Sequence, residues 1–99
     1  MNFRQLENKV IGWAYERNLF DNSTPERQFK KLGEEYKELG EGIEGNNWDI
    51  ITDSIGDMVV VLILIAFMNN TSIEACLDGA YNEIKDRKGK IVNGIFVKE

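Results

Sequence analysis

Residues 48–68 read Trp-Asp-Ile-Ile-Thr-Asp-Ser-Ile-Gly-Asp-Met-Val-Val-Val-Leu-Ile-Leu-Ile-Ala-Phe-Met, and the fold turns on how this stretch is read. Taken alone, the β-branched run Val59-Val60-Val61 favours a buried strand. A strand usually covers only ~5–6 residues, whereas the apolar run continues from Met58 to Met68 without a turn residue. A helix from Trp48 to about Asn69 is therefore expected. Beyond Asp57 it is apolar all round, the pattern of a helix buried on every side, in its own subunit or in an oligomer. The uncharged run is shorter than the ~20 residues that span a bilayer, so no membrane partner is expected.

Working outward, helical periodicity recurs on both sides. Phe3, Leu6, Val10, Trp13 and Ala14 form an apolar stripe that predicts a first helix from about Phe3 to Asn18. Asp21 to Pro25 reads as loop and helix start, with Thr24 as N-cap and Pro25 in the first helical position. The second helix carries Phe29, Leu32, Tyr36, Leu39 and Ile43 on one face and ends near Gly45, and Asn46-Asn47 caps the next. Thr71-Ser72 caps a fourth helix, Ile73 to about Lys88, which Gly89 ends. Asn93-Gly94, between Ile91-Val92 and Ile95-Phe96-Val97, signals a hairpin tail. The expectation is all-α: a four-helix bundle-like subunit in one domain, residues 1–99, with a short extended or hairpin C-terminal tail.

Composition limits the chemistry. The 99 residues carry a net charge of −5, which argues against nucleic acid as a partner. There is no histidine, so His triads, His-ligated zinc and His general bases are excluded. A single cysteine, Cys76, excludes an internal disulfide and is read as a small core residue. The N-terminus lacks the apolar segment of a signal peptide, which points to a cytoplasmic protein. What remains for catalysis is carboxylates, amines, hydroxyls and any metal the carboxylates hold.

At 100° per residue, Glu34 and Glu41 fall opposite the apolar stripe of the second helix, and Glu35 falls on its edge. Glu38 follows one turn later on the same side, with Lys31 between them. Asp53 and Asp57 stand at i and i+4 among Ile50, Val61 and Leu64. A favourable helix-start charge explains Asp49, but not Asp57 ten residues in. If the two helices pack antiparallel, Glu35, Glu38, Asp53 and Asp57 converge, and such an all-oxygen set suits Mg²⁺ or Mn²⁺. Lys85, Arg87 and Lys88 end the fourth helix. That is either ordinary pairing of cations with a helix C-terminus or a phosphate-binding rim. Trp13, Trp48 and Tyr81 are aromatic candidates for stacking on a base, with plain packing as the commoner role.

Three blocks together resemble a family. Lys31-Leu32-Gly33-Glu34-Glu35-Tyr36-Lys37-Glu38-Leu39 is similar to the first acidic motif (EExxE) of the MazG-like all-α NTP pyrophosphohydrolases. Ile55-Gly56-Asp57 resembles the end of the second motif (ExxD). The run Ala80 to Lys90, followed by Val92 to Phe96, resembles the close of short, phage-type members. The resemblance extends from about Phe29 to Val97. It implies hydrolysis of a (deoxy)nucleoside triphosphate to monophosphate and pyrophosphate, with Mg²⁺, or Mn²⁺, held by Glu35, Glu38 and Asp57. Glu34 or Asp53 would then be the catalytic base. Lys31, Asn82, Lys85, Arg87 and Lys88 would face the nucleotide. The second-motif glutamate falls at Ser54, and Asp53 beside it is the substitute carboxylate. Relatives of this kind imply a homodimer or homotetramer, in the host cytoplasm if phage-encoded. The alternative is a catalytically inactive helical oligomer that binds nucleotide or protein.

Overall fold

A computed structural model describes residues 1–99: five helices and one hairpin, with 72% of residues helical. The helices are α1 (Phe3–Glu16), α2 (Leu19–Asn22), α3 (Pro25–Glu44), α4 (Trp48–Met68) and α5 (Ile73–Ile84); the strands are β1 (Gly89–Val92) and β2 (Ile95–Lys98). The stretch that invites a strand is thus the longest helix. It starts where expected, with the Asn47 side chain accepting from the Ile50 N–H. Thr24 caps α3 in the same way, with Pro25 following it, and Ser72 caps α5.

Two helix ends depart from the sequence reading. The first helix stops at Glu16 rather than Asn18, because Asn18 takes a left-handed conformation (φ 56°) and turns the chain into the one-turn helix α2. That extra helix lies where a loop is expected. The last helix ends at Ile84, four residues short of Lys88, and Gly89 opens β1 instead of capping the helix. The hairpin itself is as expected. Asn93 (φ 53°) and Gly94 (φ 79°) make the two-residue left-handed turn, and Ile91 pairs with Phe96. Gly89 is required there, because a Cβ would collide with the Val97 carbonyl and the Phe96 ring.

Antiparallel α3 and α4, joined by Gly45–Asn47, form the main packing unit. α1 crosses α4, where Tyr15, Phe20 and Phe67 cluster with ring centroids 4.9–5.7 Å apart. α5 leans on α1 and α4 through fewer contacts. Val61, Ile63 and Leu64 are the large buried core residues, each contributing roughly 1.5–3 kcal/mol.

The core is thin. Nine of 99 residues are buried, so α4 is not enclosed on every side as its composition suggests. Cys76 is exposed, contrary to its reading as a core residue. The radius of gyration is 15.8 Å, against about 13 Å for a compact chain of this length. α4 has the length and mean hydropathy (2.2) to cross a membrane. Asp57 would then sit near mid-bilayer, at a cost of roughly 2.5–3.5 kcal/mol.

Gly42 sets how closely α3 approaches α4. A Cβ there would lie 2.8 Å from Ile50 Cγ2 and 3.2 Å from the Ile51 backbone nitrogen. Gly42→Ala is therefore expected to destabilise by ~1–3 kcal/mol despite a better helix propensity. Gly79, in α5, has nothing within 4 Å of its Cβ position, and Gly79→Ala is expected to stabilise by ~0.5–1 kcal/mol. Urea midpoints at one protein concentration check both signs.

Candidate active site

The Gly42 contact fixes the register of the seam. Counting helix turns back from it puts Glu38 level with Ser54, and Glu35 level with Asp57 and Met58. Glu35 and Gly42 on α3, and Ser54 and Val61 on α4, are the buried residues along the line of contact. Glu35 is thus at the centre of the packed face rather than on its edge. The expected stripe is split: Leu32 and Leu39 are half-buried beside Glu35, while Phe29, Tyr36 and Ile43 are exposed.

Glu35 is the unusual group. Its side chain is 6% exposed and its Oε1 lies 3.2 Å from Lys31 Nζ, one turn back. Its Oε2 is buried with no hydrogen-bond partner. An orphaned carboxylate oxygen in a packed seam is costly unless a cation or donor reaches it. Lys31 also lies 3.6 Å from Glu34. The hydrogen bond and charge of Glu35, then the charge of Glu34, raise the Lys31 pKa above its ordinary 10.5. The raised pKa marks stability that is fully present below pH 10.5 and lost as pH climbs through the folded-state value. Lys31, read as a nucleotide contact, is in this structure the counterion of the acidic motif.

The other carboxylates singled out in the sequence, Glu34, Glu38, Asp53 and Asp57, are exposed. Glu34 and Asp53 each immediately precede a contact-line residue, and Glu38 and Asp57 follow one by three positions. In antiparallel helices these offsets all turn to the same side of the seam. Glu34, Glu38, Asp53 and Asp57 therefore share one edge of the hairpin, which adds Glu34, expected to point away, and leaves Glu35 in the seam beside them. Their side chains are not gathered, however, because no three acidic groups are close enough to hold one metal ion. Ser54 is 1% exposed and faces α3, so Asp53, about 100° away around the helix, does not take its place.

The remaining candidates lie elsewhere. Asn82 is on α5, where its Nδ2 donates to Asp78 Oδ2 at 3.4 Å. Lys85, Arg87 and Lys88 follow the end of α5, are exposed and form no ion pair; the Glu83–Arg87 pair that a regular helix would offer is absent. α5 packs against α1 and α4 rather than α3, which keeps these groups apart from the Glu35 seam within one chain. Trp13, Trp48 and Tyr81 are all exposed.

One buried acid escapes the sequence reading. Glu7 is 3% exposed and accepts the Ile73 N–H at 2.7 Å, tying α1 to the first turn of α5. It satisfies a free N–H at the positive end of that helix. Its signal is positional, since Glu7 lies on the same face as Phe3, Val10 and Ala14.

No protein-family profile matches the sequence. No solved structure matches it either. The chain is 45% identical over 69 residues to an uncharacterized 18.2 kDa protein from the rep–hol intergenic region of Haemophilus phage HP1. The similarity takes in 70% of this chain and 42% of the phage protein, so the chain spans less than half the length of that relative.

Proposed function

We propose that the chain is a Mg²⁺-dependent nucleoside triphosphate pyrophosphohydrolase of the MazG-like all-α type, converting a (deoxy)nucleoside triphosphate and water into the monophosphate and pyrophosphate. Glu35 carries the reading, because its buried Oε2 has no partner within the protein. An oxygen-only donor set around it, with Glu38 and Asp57 on the same edge, fits a hard divalent cation. Glu38 and Asp57 are exposed and free to change rotamer, which the gathering of ligands requires. When bound, the ion supplies neutralisation of phosphate charge and a more acidic water.

The residues of the chain divide the remaining work. Glu35, Glu38 and Asp57 hold the cation. Asp53 or Glu34, solvated beside them, takes the proton of the water that attacks the α-phosphorus as pyrophosphate leaves. Lys31 compensates Glu35 until the cation arrives and is then free to turn to phosphate. Lys85, Arg87 and Lys88, unpaired and exposed, are the further phosphate contacts, with Asn82 on the nucleotide. The enzyme works as a homo-oligomer in the cytoplasm, that of the host if its gene is phage-borne like that of its relative.

A second reading, a non-catalytic helical oligomer that binds nucleotide or protein, is favoured by Ser54. A buried hydroxyl stands there in place of the second-motif carboxylate.

Two experiments separate these. Incubation with a panel of NTPs and dNTPs is expected to release monophosphate and pyrophosphate with Mg²⁺ or Mn²⁺, and nothing in EDTA, by ion-exchange chromatography. Asp57→Asn and Glu38→Gln are each expected to lower turnover at least ~100-fold, about 2.7 kcal/mol in the barrier, with unchanged helical circular dichroism. Retained activity in both would remove Glu38 and Asp57 from the site, whereas no release from any nucleotide favours the non-catalytic reading. Lys31→Met tests the counterion role: it is expected to melt lower than the parent without metal and to gain more from Mg²⁺. Equal gains in the two proteins would remove Lys31 from that role.

A further inference from the structure

A second buried acid stands apart from the α3–α4 seam. Glu7, on α1, is 3% exposed, and only its Oε2 is used, accepting the Ile73 N–H at 2.7 Å. Its Oε1 accepts no hydrogen bond, yet it is not sealed inside the protein as Glu35 Oε2 is. It opens instead into a cavity of about 440 Å³ between α1, α5 and the end of α4, within the roughly 300–1,000 Å³ of small-molecule sites. Ile11 and the Phe67 ring give this cavity an apolar wall, and Glu74 and Asp78, one turn apart on α5, are exposed at its rim. Arg4, three positions before Glu7 on α1, is the cation that would answer it within the chain. It lines the same cavity but forms no ion pair with Glu7, Glu74 or Asp78. The cavity therefore gathers three carboxylates against one guanidinium, and its most buried acid is unanswered.

We propose that this cavity binds a short aliphatic diamine, with one ammonium group on Glu7 Oε1 and the other on Asp78. The chemistry of its walls selects that ligand. A half-used carboxylate largely shut off from water calls for a donor more strongly than an exposed one does. An ammonium group supplies charge-assisted hydrogen bonds, and an aromatic wall such as that of Phe67 attracts it further. A bare metal ion does not suit the cavity, because no three acidic groups are close enough to hold one. An organic cation tolerates the wider spacing, and the apolar wall rewards an aliphatic stem. Asp78 lies five residues beyond Ile73, about 7.5 Å along the axis of α5, which is comparable with the separation of the two nitrogens in an extended short-chain diamine. Its Oδ1 is free, since Asn82 Nδ2 reaches only Oδ2, at 3.4 Å. The Ile73 amide already fixes the Glu7 carboxylate, so the first contact is preorganised. The site shares no residue with the Glu35 seam and is independent of whether the chain hydrolyses nucleotides.

Isothermal titration calorimetry of the full chain with putrescine, in EDTA to remove divalent cations, is expected to show saturable binding of one equivalent per chain. n-Butylamine at the same ionic strength is expected to bind at least ~10-fold more weakly, for want of the second charged contact. Glu7→Gln keeps an acceptor for the Ile73 N–H while removing the charge, and is expected to weaken putrescine at least ~10-fold. Should that variant unfold, Asp78→Asn, at an exposed position, decides instead: putrescine is then expected to bind it no better than n-butylamine binds the parent. Glu35→Gln, in the separate acidic seam, is expected to leave the affinity for putrescine unchanged. Absence of saturable binding at millimolar putrescine would overturn the proposal. So would parent-like affinity in Asp78→Asn, or a loss in Glu35→Gln equal to that in Glu7→Gln, the mark of general attraction to an acidic chain.

Discussion

The close approach of α3 to α4 is the constraint on which the rest of the molecule depends. Gly42 lets Ile50 and Ile51 come within reach of the α3 backbone, and that single contact sets the register of forty residues. The register then decides that Glu35 stands opposite Asp57, that the acids share one edge and that Phe29, Tyr36 and Ile43 are left exposed. α1 and α5 add to this unit without redefining it: α1 through an aromatic cluster on Phe67, and α5 through a carboxylate that caps its first turn.

Placing Glu35 in that seam has a cost the chain only partly offsets. Removing a carboxylate from water without full hydrogen bonding is unfavourable by several kcal/mol. Lys31 reaches one oxygen from a half-exposed position, where solvent screening weakens the pair. A leucine there would continue the Leu32–Leu39 packing at no such cost. A retained charge of this kind is not a device of stability; under the proposed function it is provision for a cation, with Lys31 as the counterion in the cation's absence.

Local signals were legible in the sequence wherever short-range physics decides structure. Thr24-Pro25, Asn47 and Ser72 mark helix starts because a side-chain oxygen satisfies a free N–H nearby. Asn93-Gly94 marks its turn because both residues tolerate positive φ. Asn18 escaped, because an asparagine that turns left-handed inside an amphipathic stretch looks like any other helical residue until the chain turns. So did Glu7, whose partner is the Ile73 amide, far along the chain. Lys85 to Lys88 look helical by composition, but the helix ends at Ile84 and the chain turns into the hairpin that begins at Gly89.

The sequence puts Glu35 on the edge of the apolar stripe, whereas the structure buries it in the seam, and the difference has one cause. An apolar stripe records every surface a helix buries, against its own chain and against others. Phe29, Leu32, Tyr36, Leu39 and Ile43, averaged into one stripe, point between the two surfaces. Only Leu32 and Leu39 flank the seam within the chain; the other three project about a quarter-turn further round. Turning α3 back by that amount brings Glu35 from the rim to the centre of the contact. The same rotation leaves Glu38 facing the edge where Asp57 emerges from α4. A stripe wider than the seam it serves thus points away from the line of contact. The buried acid and the exposed Phe29, Tyr36 and Ile43 are complementary consequences of the direction α3 faces.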